Sequence, residues 1–477
     1  MDKLQQEVVP ILLLCAAIAV VVKRLPKIDL GHTPASKRRR VLNWLALGLT
    51  YAFLYMGRYN LVELLNKKLI SGKEFGDIDA VGSLVYGVVF LINGPLADRW
   101  GGRATILIAA AGSGVCNAII GLMMYATGAP PPYATLMVLF AANMYFQSFG
   151  AVSIVKVNAA WFHLRERGTF GGIFGILISL GLYLAFDWAP KIAEMTSLPW
   201  LFLSPGLILL VFFVLSFVFV RDTPAAAGLV DFDVADATSG QTGPPDPARV
   251  IIRRMLSSRI IMTIALISFC SGFLRQGILK WYRTFAGAVH LNDTFVFHHW
   301  GMVSCISGIM GGIFAGVVSD HLFKSRRPPV STVLFSLLLG GAIAIVPLLQ
   351  APGAVSWVIA FMALAVIGVH GMLSGVASQD FGGQRNAGTA TGLIDGFVYL
   401  GTALQGFVYG NVLPSALIHV DGKPAPNPAF SDIGNWYAWP IAMIPVAVIG
   451  LALSLSVWNA RVKPGTPTMP PVLPAKP

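Results

Sequence analysis

Twelve apolar runs, each about 18–25 residues long and able to cross a hydrocarbon layer of roughly 30 Å, leave this chain one kind of fold. They lie near residues 41–65, 79–97, 103–126, 133–158, 168–188 and 198–220, and again near 259–284, 297–318, 329–349, 354–377, 388–412 and 436–460. Composition agrees, because 55% hydrophobic and 12% charged residues do not describe a water-soluble domain of 477 residues. The expectation is an all-α polytopic membrane protein with six-helix halves at 41–220 and 257–460, joined by a linker at 221–256.

The formal charge of +12 is distributed in a way that excludes nucleic acid as its purpose. Lys37 to Arg40, Arg99 with Arg103, Arg165 with Arg167, Arg249 with Arg253 and Arg254, and Lys324 with Arg326 and Arg327 occupy alternate loops. By the positive-inside rule those loops, the linker and both ends of the twelve-helix body face the cytoplasm of a plasma (inner) membrane. The opposite loops are expected to hold the acids Glu63, Glu74, Asp77 and Asp79. Within residues 1–40, the run Val8 to Val22 has Asp2 and Glu7 before it and Lys23, Arg24 and Lys27 after it, the reverse of a cleaved signal peptide. It reads as one extra helix with its N-terminus outside. The linker is rich in Pro, Gly, Asp and Thr and reads as flexible, and residues 461–477 form a Pro-rich tail. Cys15, Cys116, Cys270 and Cys305 all lie in apolar runs, so no disulfide framework is implied.

The two halves repeat each other. The segment from Arg165 (RERGTFGG) and that from Arg385 (RNAGTATG) share R-x-x-G-T-x-x-G at an offset of 220 residues. GPLADRWGGR from Gly94 and GVVSDHLFKSRR from Gly316 share Gly-x-x-x-Asp at 222, and Arg58 matches Arg275 at 217. Duplicated halves with a central site are the plan of the major facilitator architecture, in which the halves rock about a site near the bilayer midplane. Gly168 with Gly172, and Gly308, Gly312 and Gly316, are expected to bring helices together. Asp98, Arg99 and Asp320, placed just past helix ends, are expected to hold cytoplasmic gates.

Arg58 lies 18 residues after Arg40, and Arg275 lies 16 after Arg259, so both sit about 24–27 Å along their helices. Snorkelling to the far interface is one reading, but apolar residues continue past Arg58, and an intramembrane arginine marks a functional site by default. Two planar donor forks facing one another suit a tetrahedral oxyanion, and phosphate is the obvious one. The chain has no G-x-x-x-x-G-K-[ST] loop, no metal-ligand spacing and no nucleophile-base set, so it reads as a carrier driven by a gradient, without cofactor, rather than an enzyme.

Further motifs carry a resemblance. Tyr51, Tyr55 and Arg58 (Y-x-x-x-Y-x-x-R), Y-G in the second helix, Phe146-Gln147, W-F-x-x-R-E-R-G from Trp161, R-x-G-I-L-x-W from Arg275, and A-G-T-A-x-G with F-x-Y-L-G from Ala387 resemble the organophosphate:phosphate antiporter family of the major facilitator superfamily. The resemblance implies that Arg58 and Arg275 bind the phosphoryl group, that Tyr51, Tyr55 and Tyr399 line the cavity, and that Gln147 lies beside it. It also implies exchange of a small organic phosphate for inorganic phosphate by a monomer in the bilayer. Departures stand at Tyr59, Phe90, Ile178 and Lys280, where glycerol 3-phosphate members carry a second basic residue, a lysine, a histidine and an acid.

Lys156 and Lys280 add positive charge, and Asp395 is expected to be the main acid within the helices. Together they point to a substrate with a further negative group, such as phosphoglycerate or phosphoenolpyruvate, with sugar phosphates also in the class. Lys156 also reads as a snorkelling residue and Lys280 as an interfacial one beside Trp281 and Tyr282; His370 reads as packing or as a proton-coupling group. Rival functions are a transporter-like sensor of sugar phosphates and a proton-coupled carrier of another anion.

Overall fold

Helix boundaries follow local chemistry in a computed structural model that describes residues 33–163, 166–234, 247–323, 327–373, 385–420 and 423–459. The expected helix at Val8–Val22, Arg165, Lys324, Arg326, the middle of the linker and the tail lie outside the described residues, as does the Asp320 side chain. Helix α1 (Pro34–Asn66) starts at Thr33, whose hydroxyl accepts from the Ser36 amide, with Pro34 preset for the first turn. Helix α2 (Gly72–Trp100) starts in a capping box, Ser71 and Glu74 each serving the other's amide. Gly101, at φ 88°, turns the chain into α3 (Gly102–Thr127), which Gly128 ends at φ 71°.

Then come α4 (Tyr133–Trp161) and α5 (Arg167–Tyr183), which runs through a π-helical turn (Leu184–Trp188) into α6 (Ala189–Met195), and α7 (Trp200–Phe219). The second half holds α8 (Ala248–Leu256), α9 (Arg259–Ala288), α10 (Phe295–His298), α11 (Trp300–Val317), α12 (Arg327–Leu348), α13 (Pro352–His370), α14 (Ala387–Val412) and α15 (Ala438–Ser456). A small antiparallel hairpin, β1 (Leu417–Val420) and β2 (Lys423–Pro426), joins the last two, with Leu417 opposite Pro426.

Each of the twelve expected runs falls on one of these helices. Among the described residues, nine helical segments are long and apolar enough to cross a membrane, and α11 is a shorter apolar one. Helices α1 and α14 have the length, at 33 and 26 residues, but carry Arg58, Glu63 and Asp395. Four expectations change. Asp98 and Arg99 lie inside α2, not past its end, and Glu63, Glu74, Asp77 and Asp79 lie inside helices rather than in loops, with Glu63 and Asp79 buried. The linker is not flexible throughout, because α8 buries Ile251 and Met255 against Ile261, Ala390 and Leu393. Gly312 and Gly316 face open space, whereas Gly311 packs on the Leu364 carbonyl and Gly308 on Ser179.

The halves meet along two long seams, α2 on α14 and α5 on α11. The 220-residue offset carries α2 onto α11 and α5 onto α14, so these are one interface formed twice. Glycines set its closeness: Gly76 faces Gly410, Gly87 faces Gly396 and Gly94 faces Gly388. A Cβ on Gly94 would stand 2.5 Å from the Gly388 carbonyl oxygen, which as backbone cannot move aside. Gly94→Ala is therefore expected to destabilise the folded protein by about 1–3 kcal/mol, read as a lower thermal midpoint in detergent, whereas Gly312→Ala leaves that midpoint unchanged.

Candidate functional site

Close backbone approach also builds the centre. A Cβ on Gly272 of α9 would fall on the Val398 carbonyl, and one on Gly401 of α14 on that of Phe269, so α9 and α14 touch on either side of Tyr399 and within two turns before Arg275. Gly87, with its ideal Cβ 3.3 Å from Tyr399 Cβ, lets α2 in, and the rings of Tyr86 and Tyr399 stack at 3.7 Å.

Arg58, 3% exposed, enters this space from α1. Its Nε donates to Gln147 Oε1 at 2.8 Å, one terminal nitrogen to Tyr399 Oη and the other to Tyr86 Oη at 3.2 Å. Its guanidinium carbon also lies 4.9 Å from the Tyr55 ring centroid and 4.8 Å from that of Tyr86. Gln147 is aimed by its own amide, which donates to Ser113 Oγ and Asn143 Oδ1 at 3.1 and 3.2 Å. Asn143 and Asn117 in turn donate to the Gly57 carbonyl, fixing the helix beside Arg58.

Arg275, 2% exposed, comes from the other half within electrostatic reach of Arg58, Tyr55, Tyr59 and Tyr399. Among the described residues its Nε and one Nη have no hydrogen-bond partner, and neither do Tyr55 Oη and His370 Nδ1. Among the described residues no carboxylate pairs with either guanidinium. A buried cation left unpaired is costly, and unused donors beside it are a receptor for an anion. The residues that follow the arginines, Tyr59 and Gln276, hydrogen-bond to each other across the two halves at 2.9–3.1 Å.

The remaining candidates separate from this centre. Lys280 binds both oxygens of Asp79 at 2.5 and 2.7 Å, with both side chains buried. Lys156 binds Asp98 at 3.0 Å and donates to the Arg385 carbonyl at 3.0 Å. Asp98 also accepts from the amides of Gly388 and Thr389 at the start of α14, tying the basic ends of the halves together. Arg99 is exposed at the end of α2, Tyr51 packs edge-on to Tyr55 at 5.3 Å, and Asp395 is buried beside Gly396 on α14. At the opposite end Arg283 joins Glu63 at 2.7 Å across the halves.

Residues that sequence reasoning missed include Tyr86, whose Y-G motif was visible without its role, and Asp79, Glu63 and Arg283. Asp395 is thus not the main acid in the helices; Glu63 and Asp79 are also buried there, and Asp187 is half-buried.

The model of the Major Facilitator Superfamily matches residues 11–406. The chain belongs to that superfamily. A glycerol-3-phosphate transporter of Bacillus subtilis is 26% identical over 452 residues, covering 89% of this chain and 94% of that protein. A probable hexose phosphate transport protein of Chlamydia trachomatis is 25% identical over 89% and 91%, and the membrane sensor protein UhpC of Escherichia coli 25% over 79% and 86%. These relatives accord with the organophosphate resemblance of the motifs. A solved structure of a bacterial homologue of the human lysosomal transporter Spinster, inward-facing and unoccupied, matches with a TM-score of 0.60 at 11% identity over 89% of this chain and 97% of that one. That likeness supports the fold alone.

If Lys280 is held as half of an ion pair, Lys280→Ala strands Asp79 and lowers stability by about 3–5 kcal/mol, while Lys280→Met with Asp79→Leu recovers most of the loss. Thermal unfolding of the two variants checks this; equal losses in both contradict it.

Proposed function

We propose that this superfamily member exchanges an organic phosphate ester for inorganic phosphate by alternating access, each chain acting as a monomer in a plasma (inner) membrane. Its basic end faces the cytoplasm, as the positive-inside pattern requires. The observation that carries the reading is the pair of buried arginines, one from each half, with no carboxylate against them and donors of Arg275 unused among the described residues. Two guanidiniums in one desolvated space repel each other, so the empty carrier resists closing around them. A bound phosphoryl dianion neutralises both, accepts from their forks and from the tyrosine hydroxyls, and permits closure. Such a carrier crosses loaded in each direction, which makes the transport an exchange.

The ion pairs also bear on the class of substrate. Lys156 and Lys280 are each neutralised by an aspartate, so the extra positive charge that the sequence suggested for a second acidic group on the substrate is already taken. A dianionic phosphoryl group on an uncharged body, as in a sugar or glycerol phosphate, balances the two arginines; phosphoglycerate or phosphoenolpyruvate adds a carboxylate beyond that balance. A sensor that binds without moving its ligand is the second reading, favoured by the similarity to the UhpC sensor.

Counterflow separates these. Proteoliposomes loaded with inorganic phosphate are expected to take up labelled phosphate. Glucose 6-phosphate and glycerol 3-phosphate should compete better than phosphoglycerate. Arg58→Lys and Arg275→Lys, which lose the fork but keep the charge, should each slow exchange by at least about 100-fold, of the order of two to three lost charge-assisted hydrogen bonds. Near-normal exchange in both variants contradicts the assignment, saturable binding without exchange supports the sensor, and phosphoglycerate as the best competitor overturns the charge argument.

A further inference from the structure

The two seams between the halves end in the same construction, at opposite ends of the molecule. Helix α14 receives no side-chain cap from its own N-cap residue, Asn386, and Asp98 of the other half supplies one, its carboxylate accepting the Gly388 and Thr389 amides at 3.0 and 2.8 Å. Helix α11 likewise receives none from His299. Asp187 of the other half accepts the Gly301 and Met302 amides at 2.7 and 2.8 Å. In each helix these are the second and third amides of the first turn, the pair that an N-cap side chain ordinarily serves. In each the second residue is glycine, and a Cβ there would meet the visiting carboxylate, 3.0 Å from Asp98 Oδ1 and 2.7 Å from Asp187 Oδ1.

The surroundings of Asp187 make the grip reciprocal. Asp187 sits on the π-helical turn Leu184–Trp188, an irregularity that re-aims side chains within a helix. Arg283, from the other half, donates to the Phe186 carbonyl of that turn at 3.2 Å and to Glu63 at 2.7 Å. A carboxylate of the first half therefore holds a helix end of the second, and a guanidinium of the second holds a carbonyl and a carboxylate of the first.

We propose that Asp187 is the latch of the outer gate, its cap on α11 forming when the outer side closes and breaking when that side opens. The charge-assisted bonds and the helix dipole favour the closed end, and water in an opened cleft hydrates both the carboxylate and the released amides, so the latch biases closure without locking it. Nothing in this step depends on which anion is carried.

Cys305 is a native reporter. It lies fully buried on α11 about one turn inward of Met302, packed in a cluster with Met302 and with Ile176 and Tyr183 of α5. In full-length protein with Cys15, Cys116 and Cys270 replaced by alanine, labelling by a membrane-impermeant maleimide is measured in right-side-out vesicles. Asp187→Ala is expected to raise the rate on the order of tenfold, as loss of a cap shifts a two-state gate. Gly301→Ala, which leaves Asp187 in place but puts a methyl where its carboxylate sits, should do the same and serves if the first variant does not accumulate. Asp98→Ala should not raise labelling from outside. Cys305 remaining as protected as in the parent in either folded latch variant overturns the proposal, and so does an equal rise with Asp98→Ala, which would mean general loosening.

Discussion

Two guanidiniums buried in one space, with no carboxylate against either among the described residues, are the constraint around which the remaining features of this molecule are arranged. Among the described residues no ion pair offsets the cost of burying Arg58 or Arg275, and Arg58 is held by neutral groups: Gln147, the hydroxyls of Tyr86 and Tyr399, and the faces of Tyr55 and Tyr86. Neutral partners orient a cation without cancelling its charge. The polar ladder behind Gln147, through Ser113, Asn143 and Asn117 to the Gly57 carbonyl, gives the first arginine a fixed position, while the second keeps donors in reserve.

Away from the centre the opposite policy holds. Lys280 with Asp79, Arg283 with Glu63 and Lys156 with Asp98 pair three further cations with acids, and the first two of these join residues of opposite halves. Matched pairs can part as a cleft opens and water replaces them, whereas the central charge must be met by something carried. Within the helices, these three cations are thus matched by acids, and among the described residues the two central arginines are not.

Much of this was legible in the sequence. Run lengths fix the helices, and the recurrence of Arg58 at Arg275 and of Gly94-x-x-x-Asp98 at Gly316-x-x-x-Asp320 gives the duplication. Those signals survive because length and repetition are properties of one dimension. The pairing of Lys280 with Asp79 was not legible, since 201 residues separate them and only the packing of α9, α2 and α14 brings them together. Glu63 and Asp79 read as loop acids because each stands at the outer margin of its apolar run, 41–65 and 79–97, and α1 and α2 continue past those margins. Asp187 gave no signal because position 407, its counterpart in the repeat, is a phenylalanine.

The most direct measurement is calorimetric titration of the purified protein with inorganic phosphate, in wild type and in Arg58→Gln and Arg275→Gln. The account predicts one saturable site per chain, lost in both variants, because each removes half of the charge that the dianion balances. Wild-type affinity retained in both variants would contradict it.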